Sequence, residues 1–229
     1  MMPEFPLGVQ SYTFRKLGFE AAIDYSRSRG LNVIEAYPAH VPVGDKTKAL
    51  MAKERGVRVA SHGVNRLDQG SQDLFKFAKE LELLLVVDPA PGSLAQLEEM
   101  ASNYHVKLAI HNHGPTHRWG SALRTGEEIT PYPHLGLCLD LGHLARSSED
   151  PFKVVEKYGE KVFDVHLKDL DVEGEDVPLG SGVLKVWDFL KYLKGTALRP
   201  LLMVEYEAEP EDPYRGVDQS LALVRAVMR

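Results

Sequence analysis

Short apolar runs alternate with longer stretches of helical periodicity along the whole chain. The runs predict strands over Leu7 to Phe14, Asn32 to Ala36, Val57 to Ser61 and Leu84 to Val87. Four more follow over Val106 to Ile110, Gly136 to Leu139, Val162 to Leu167 and Leu201 to Val204. Between them, apolar residues spaced three and four apart predict helices, because that spacing lines one face of a 3.6-residue turn. These cover Phe19 to Arg29, Lys46 to Arg55, Asp73 to Leu83, Ser93 to Tyr104, Pro151 to Tyr158, Val186 to Leu193 and Val217 to Met228. Ser93 and Asp150 stand where N-caps belong, Pro151 opens its helix, and Gly30 and Gly56 close theirs. Residues 114–134, rich in Gly, Pro and Thr, read as a long loop with a short helix.

The strands are apolar at nearly every position, which is the mark of a parallel sheet covered on both faces. Strict alternation of eight strands with helices predicts an α/β chain closed as a (β/α)8 TIM barrel, one domain over residues 1–229. An open doubly wound sheet is the rival, but no Gly-x-Gly-x-x-Gly turn follows the first strand.

Composition narrows the setting. No apolar stretch reaches membrane-spanning length, and a net charge of −6 argues against a nucleic-acid partner. The string Met1-Met2-Pro3-Glu4-Phe5-Pro6 lacks the basic and apolar blocks of a secretory signal. Cys138 is the single cysteine and lies in an apolar run, so a cytoplasmic setting without disulfides or thiolate metal sites is expected.

The chemistry gathers at strand ends. At or just past the eight predicted strands stand Arg15, Glu35, His62, Asp88, His111, Asp140, His166 and Glu205. Each alone has an ordinary explanation, since a strand-end carboxylate often caps the next helix and a lone histidine often sits satisfied in a core. His111, Asp140, His166 and Glu205, however, end four successive strands, and barrel sites gather at that face. Two imidazoles and two carboxylates suit one divalent ion such as Zn²⁺, Mn²⁺, Co²⁺ or Fe²⁺. His113, two residues past His111, and His143, one turn past Asp140, are neighbours able to face a substrate. Lys168 and Asp164 flank His166 at the same two-residue offset, although Lys168 also reads as a surface lysine. Asp164, deeper in the barrel, needs a partner, with Lys168 or a ligand imidazole as the candidates. The turn Gly180-Ser181-Gly182 reads as a plain loop or as a cradle of amides for an anion.

Several strings together resemble the xylose isomerase-like TIM-barrel superfamily, the sugar phosphate isomerase/epimerase group. They include Gly8-Val9-Gln10-Ser11-Tyr12, Val33-Ile34-Glu35, His111-Asn112-His113-Gly114, Leu139-Asp140-x-Gly142-His143, His166-Leu167-Lys168-Asp169 and Val204-Glu205. The resemblance implies a metal held by Asp140, His166 and Glu205, with His111 where the ketose 3-epimerases have glutamate. It implies an isomerase or epimerase of a small keto-sugar, sugar phosphate or inosose, working through an enediolate. Glu205 and His143 are then the proton-moving pair, and Glu35, His62, His113 and Lys168 line the substrate. With one carboxylate lost, a dehydratase or lyase of the inosose dehydratase kind is the close alternative. A metal hydrolase and a non-catalytic sugar-binding barrel follow it. The shortness of the chain leaves the pocket open or completed by a second copy in a homo-oligomer.

Overall fold

The computed structural model describes residues 5–67, 71–90 and 92–228. Met1 to Glu4, most of the amino-terminal string considered above, lie outside them. Eight parallel strands form one sheet: β1 (Leu7–Val9), β2 (Val33–Ala36), β3 (Arg58–Leu67), β4 (Leu84–Pro89), β5 (Leu108–His111), β6 (Leu135–Asp140), β7 (Val162–Leu167) and β8 (Leu201–Val204). Their order is β1-β8-β7-β6-β5-β4-β3-β2, and a bridge between Gln10 and Glu35 joins β1 to β2 across the remaining seam. This is a nearly closed (β/α)8 TIM barrel.

Around it run α1 (Phe19–Ser28), α2 (Lys46–Glu54), α3 (Gln72–Leu81), α4 (Leu94–Tyr104), α5 (Ala122–Ile129), α6 (Leu141–Arg146), α7 (Pro151–Tyr158), α8 (Val186–Lys194) and α9 (Tyr214–Met228). The main core lies between strands and helices. There Ile34, Leu85, Leu108, Leu137 and Val165 meet Ile23, Phe75, Ile129 and Phe189. Ser93 caps α4 and Asp150 caps α7 through their side chains, as expected from sequence. The short α5 fills part of the loop predicted over 114–134. No helix among the described residues is long and apolar enough to cross a membrane.

Three local expectations change. The predicted first strand stops at Val9, and Ser11–Phe14 form a 3₁₀ turn because the Gln10 side chain accepts from the Tyr12 amide and bends the chain. Strand β3 runs on to Leu67, well beyond Ser61. The hairpin Asp169–Leu170 with Asp176–Val177, which no apolar pattern announces, follows β7.

Two register shifts decide which side chains enter the barrel. Between β2 and β3, Ile34 pairs with Val59 while Glu35 pairs with Ser61, so β3 carries one extra residue. Between β6 and β7, Leu137 pairs with Val162 and Cys138 with Asp164, leaving Phe163 as the extra residue. An added residue reverses the in–out alternation beyond it. Phe163 and Asp164 consequently both turn inward, and the phase carries His166 to the barrel mouth. Gly136 makes room for this, since a Cβ there would sit 2.3 Å from the Phe163 ring.

Candidate metal centre

The pairing of β6 with β7 sets Asp140 beside His166, and the Glu205 amide continues the ladder by donating to Leu167 O. Donor atoms of Asp140, His166 and Glu205 all lie within 4.8 Å of one another, and all three residues are buried. His166 Nδ1 stands 3.1 Å from Glu205 Oε2. On the other side of the ring, Nε2 lies 3.0 Å from Glu35 Oε1. Glu35 is in turn held by Ser61 Oγ at 2.6 Å and Gln10 Nε2 at 3.0 Å. A carboxylate gripping one ring nitrogen fixes the tautomer and aims the other at an ion. His166 Nδ1 and Asp140 Oδ2 are buried without a hydrogen-bond partner. Each meets an ionic neighbour, Glu205 Oε2 at 3.1 Å and Lys168 Nζ at 3.3 Å, and buried polar atoms without a hydrogen bond are costly unless a further partner binds them. Two carboxylates and an imidazole converging with open valences fit one divalent cation.

His111 is the fourth expected ligand and lies against this trio. Its Nε2 is 3.6 Å from Asp140 Oδ2, its ring centre is 5.0 Å from that of His166, and its Nδ1 has no partner. His143 and His113 ring it, with centres 5.7 and 4.7 Å away. Asn112 braces the strand end by accepting from the Asp140 amide at 2.8 Å and donating to its carbonyl. Asp140 itself caps α6, accepting from the His143 amide through Oδ1, which leaves Oδ2 for the centre.

Lys168 is 3 % exposed, not a surface lysine, and its Nζ lies 3.3 Å from both Asp140 Oδ2 and Glu205 Oε2. It also contacts Glu207. Burial alone would neutralise this ammonium, yet Asp140, Glu205 and Glu207 outweigh it and hold it firmly charged. Burial pushes Asp140 upward too, and the Lys168 charge reverses that, keeping the acid well below its usual range. The same contest leaves Glu205 at about 2. His166 is raised well above normal despite burial, because Cys138, Glu35 and Glu205 surround it. An ion held through His166 would compete with a proton for the same ring nitrogen. Burial first, and then neighbouring imidazoles, lower His113 to about 3; burial also lowers His143. Both rings are neutral at pH 7.

The other expected site residues lie apart from the mouth. His62 turns away from it: the β3 bulge sends Ser61 inward and His62 outward, where its ring packs on Phe77 and Nε2 meets Val41 O at 2.8 Å. Glu35 lies beneath His166 with no exposed surface, touching the histidine and not the pocket. Asp164 shares that buried layer with neither oxygen hydrogen-bonded. Burial and the nearby Glu35 push its carboxyl well above the usual range, and Lys168 meets Asp140, Glu205 and Glu207 instead. The amides of Gly180 and Gly182 do cradle an anion, but it is the chain's own Asp169, which also accepts from Leu170 and Leu184. Sequence reading missed Glu207 and Asp176. Glu207 repeats the two-residue offset that marked Lys168, whereas Asp176 comes from a hairpin with no such signal. Burial and nearby carboxylates push Asp176 to about 7 against the pull of Lys168.

A family model described as the xylose isomerase-like TIM barrel matches residues 92–227, from α4 through α9. The chain belongs to the xylose isomerase-like TIM-barrel family. Within this family setting, an inosose dehydratase of Clostridium botulinum is 31% identical over 141 residues, covering 51% of this chain and 46% of that protein. The chain thus spans about half the length of the curated relatives it matches. An uncharacterised protein of Parabacteroides distasonis has a solved structure similar at TM-score 0.75 and 26% identity, over 98% of this chain and 99% of that one. The 3-keto-D-glucoside 4-epimerase of E. coli shares the fold at TM-score 0.78 and 17% identity, over 97% and 100% of the two chains.

Proposed function

We propose that this chain is a divalent-metal-dependent enzyme acting on a small polyhydroxylated ketone, from which it removes a proton next to the carbonyl. The observation that carries the reading is the convergence of Asp140, His166 and Glu205, with Asp140 Oδ2 and His166 Nδ1 buried and not hydrogen-bonded. When bound, a Zn²⁺, Mn²⁺, Co²⁺ or Fe²⁺ ion supplies Lewis-acid polarisation of the carbonyl. Asp140, His166 and Glu205 hold the ion, with His111 as a neighbouring fourth donor, and Glu35 keeps the His166 ring in register. Glu205, ionised at neutral pH, accepts the proton from carbon. The Lys168 ammonium donates hydrogen bonds to a substrate oxygen. His143, as a neutral imidazole, presents an N–H and a lone pair, so it can pass a proton to a hydroxyl oxygen without adding charge.

One flanking carboxylate, where the epimerases have two, favours elimination over two-base epimerisation. Relatives named inosose dehydratase support loss of water as the outcome. Isomerisation or epimerisation shares the same first proton transfer and is the second reading. Proton NMR in D₂O with an inosose and with keto-sugars tests both. Metal-loaded protein should exchange the α-proton or release water, and chelated protein should not. Equal rates with and without chelation for every compound tried would sink the proposal.

A further inference from the structure

The described residues contain a second group of donors that the proposed reaction does not use. Asp88 is the last residue but one of β4, His113 lies just past β5, and His117 sits in the following loop. Donor atoms of the three lie within 4.8 Å of one another. His113 Nε2 is 3.8 Å from Asp88 Oδ2, and His117 Nε2 is 3.7 Å from Asp88 Oδ1. Each carboxylate oxygen therefore faces its own imidazole nitrogen across a gap too long for a hydrogen bond. His113 Nε2 is buried and has no partner there. Ring centres of the two histidines are only 4.2 Å apart.

The loop that carries them is braced. The His113 amide donates to Trp119 O and the His117 amide to Gly114 O, both at 3.0 Å. The Trp119 indole donates to Pro89 O at 2.8 Å, tying the loop to the end of β4 beside Asp88. Gly120 allows the tight return, since a Cβ there would lie 2.5 Å from Gly114 O. One contact opposes ion binding: the Trp119 amide donates to His117 Nδ1 at 3.2 Å, which puts the neutral ring's proton on Nε2. Coordination through Nε2 moves that proton to Nδ1 and gives up this long hydrogen bond. His117, 39% exposed, has the room to turn.

We infer that Asp88, His113 and His117 form a second cation site at the barrel mouth, separate from the Asp140, His166 and Glu205 centre. Two imidazoles and one carboxylate with open positions suit a late first-row divalent ion, Zn²⁺ or Co²⁺, over Mg²⁺ or Ca²⁺. The site stands whether or not the proposed reaction does. Chelator-stripped protein is loaded with a small excess of Zn²⁺, desalted and assayed for metal per chain. Asp88→Asn and His117→Ala should each hold one ion fewer than the unsubstituted protein, while Asp140→Asn removes only the ion of the first centre. In a Trp187→Phe background Trp119 is the sole tryptophan, and Zn²⁺ should shift its emission unless His117 is replaced. Variants that keep the full metal count, or an emission response that survives His117→Ala, would overturn the inference.

Discussion

The barrel interior divides into two halves that share strands but not chemistry. Toward the N-terminal ends of the strands, Val33, Ala60 and Met203 pack with Leu201, and Val86, Ala109 and Cys138 pack with Leu84 and Phe163. Toward the C-terminal ends, Glu35, Asp140, Asp164, His166, Lys168 and Glu205 are all buried. The lower half stabilises by removing apolar surface from water. The upper half gathers ionisable groups whose desolvation is only partly offset by pairing, and several of their atoms remain unsatisfied. A fold retains such a layer where binding or chemistry needs it. The lower half holds the barrel together, and the upper half is what that rigidity supports.

The sharpest break in this comparison comes from Glu205→Gln, which should lower turnover by about 10²–10⁴-fold if Glu205 moves the proton. Its urea midpoint should fall as well, since the substitution removes a buried partner of Lys168 and His166. Met203→Ala is the converse experiment. It should cost roughly 2–5 kcal/mol of stability through the cavity it leaves, read from urea unfolding, with metal content unchanged. Glu35→Gln lies at the boundary between the halves. Weaker orientation of His166 should reduce metal affinity about 10–100-fold, measurable by competition with a chromophoric chelator.

The smallest effect lies outside the barrel mouth, at His40, whose ring is buried against Phe19 and Tyr37. Burial, with some help from Lys48, lowers its pKa to about 4. Between that value and the ordinary 6.5 of an unfolded histidine, only the unfolded chain binds the proton. Stability from this residue is therefore full above about pH 6.5 and declines as the pH falls toward 4. A His40→Gln variant should show a flatter dependence in thermal melts across that range.

Periodicity alone was enough to read the eight strands, their alternation with helices and the parallel sheet, because burial on both faces dictates apolar runs. It was also enough to place His111, Asp140, His166 and Glu205 at strand ends, since each run stops where a polar side chain begins. Facing direction was another matter. His62 and His166 look alike along the chain, yet one packs on a helix and the other aims into the barrel. The difference comes from where the extra residues in β3 and β7 fall, and a bulge depends on the neighbouring strand. Gly180-Ser181-Gly182 likewise reads as an anion cradle, but only packing reveals that Asp169 fills it. Local pattern determines which residues form strands and where those strands end. The relative register of distant segments, which no local pattern carries, decided which side chains meet.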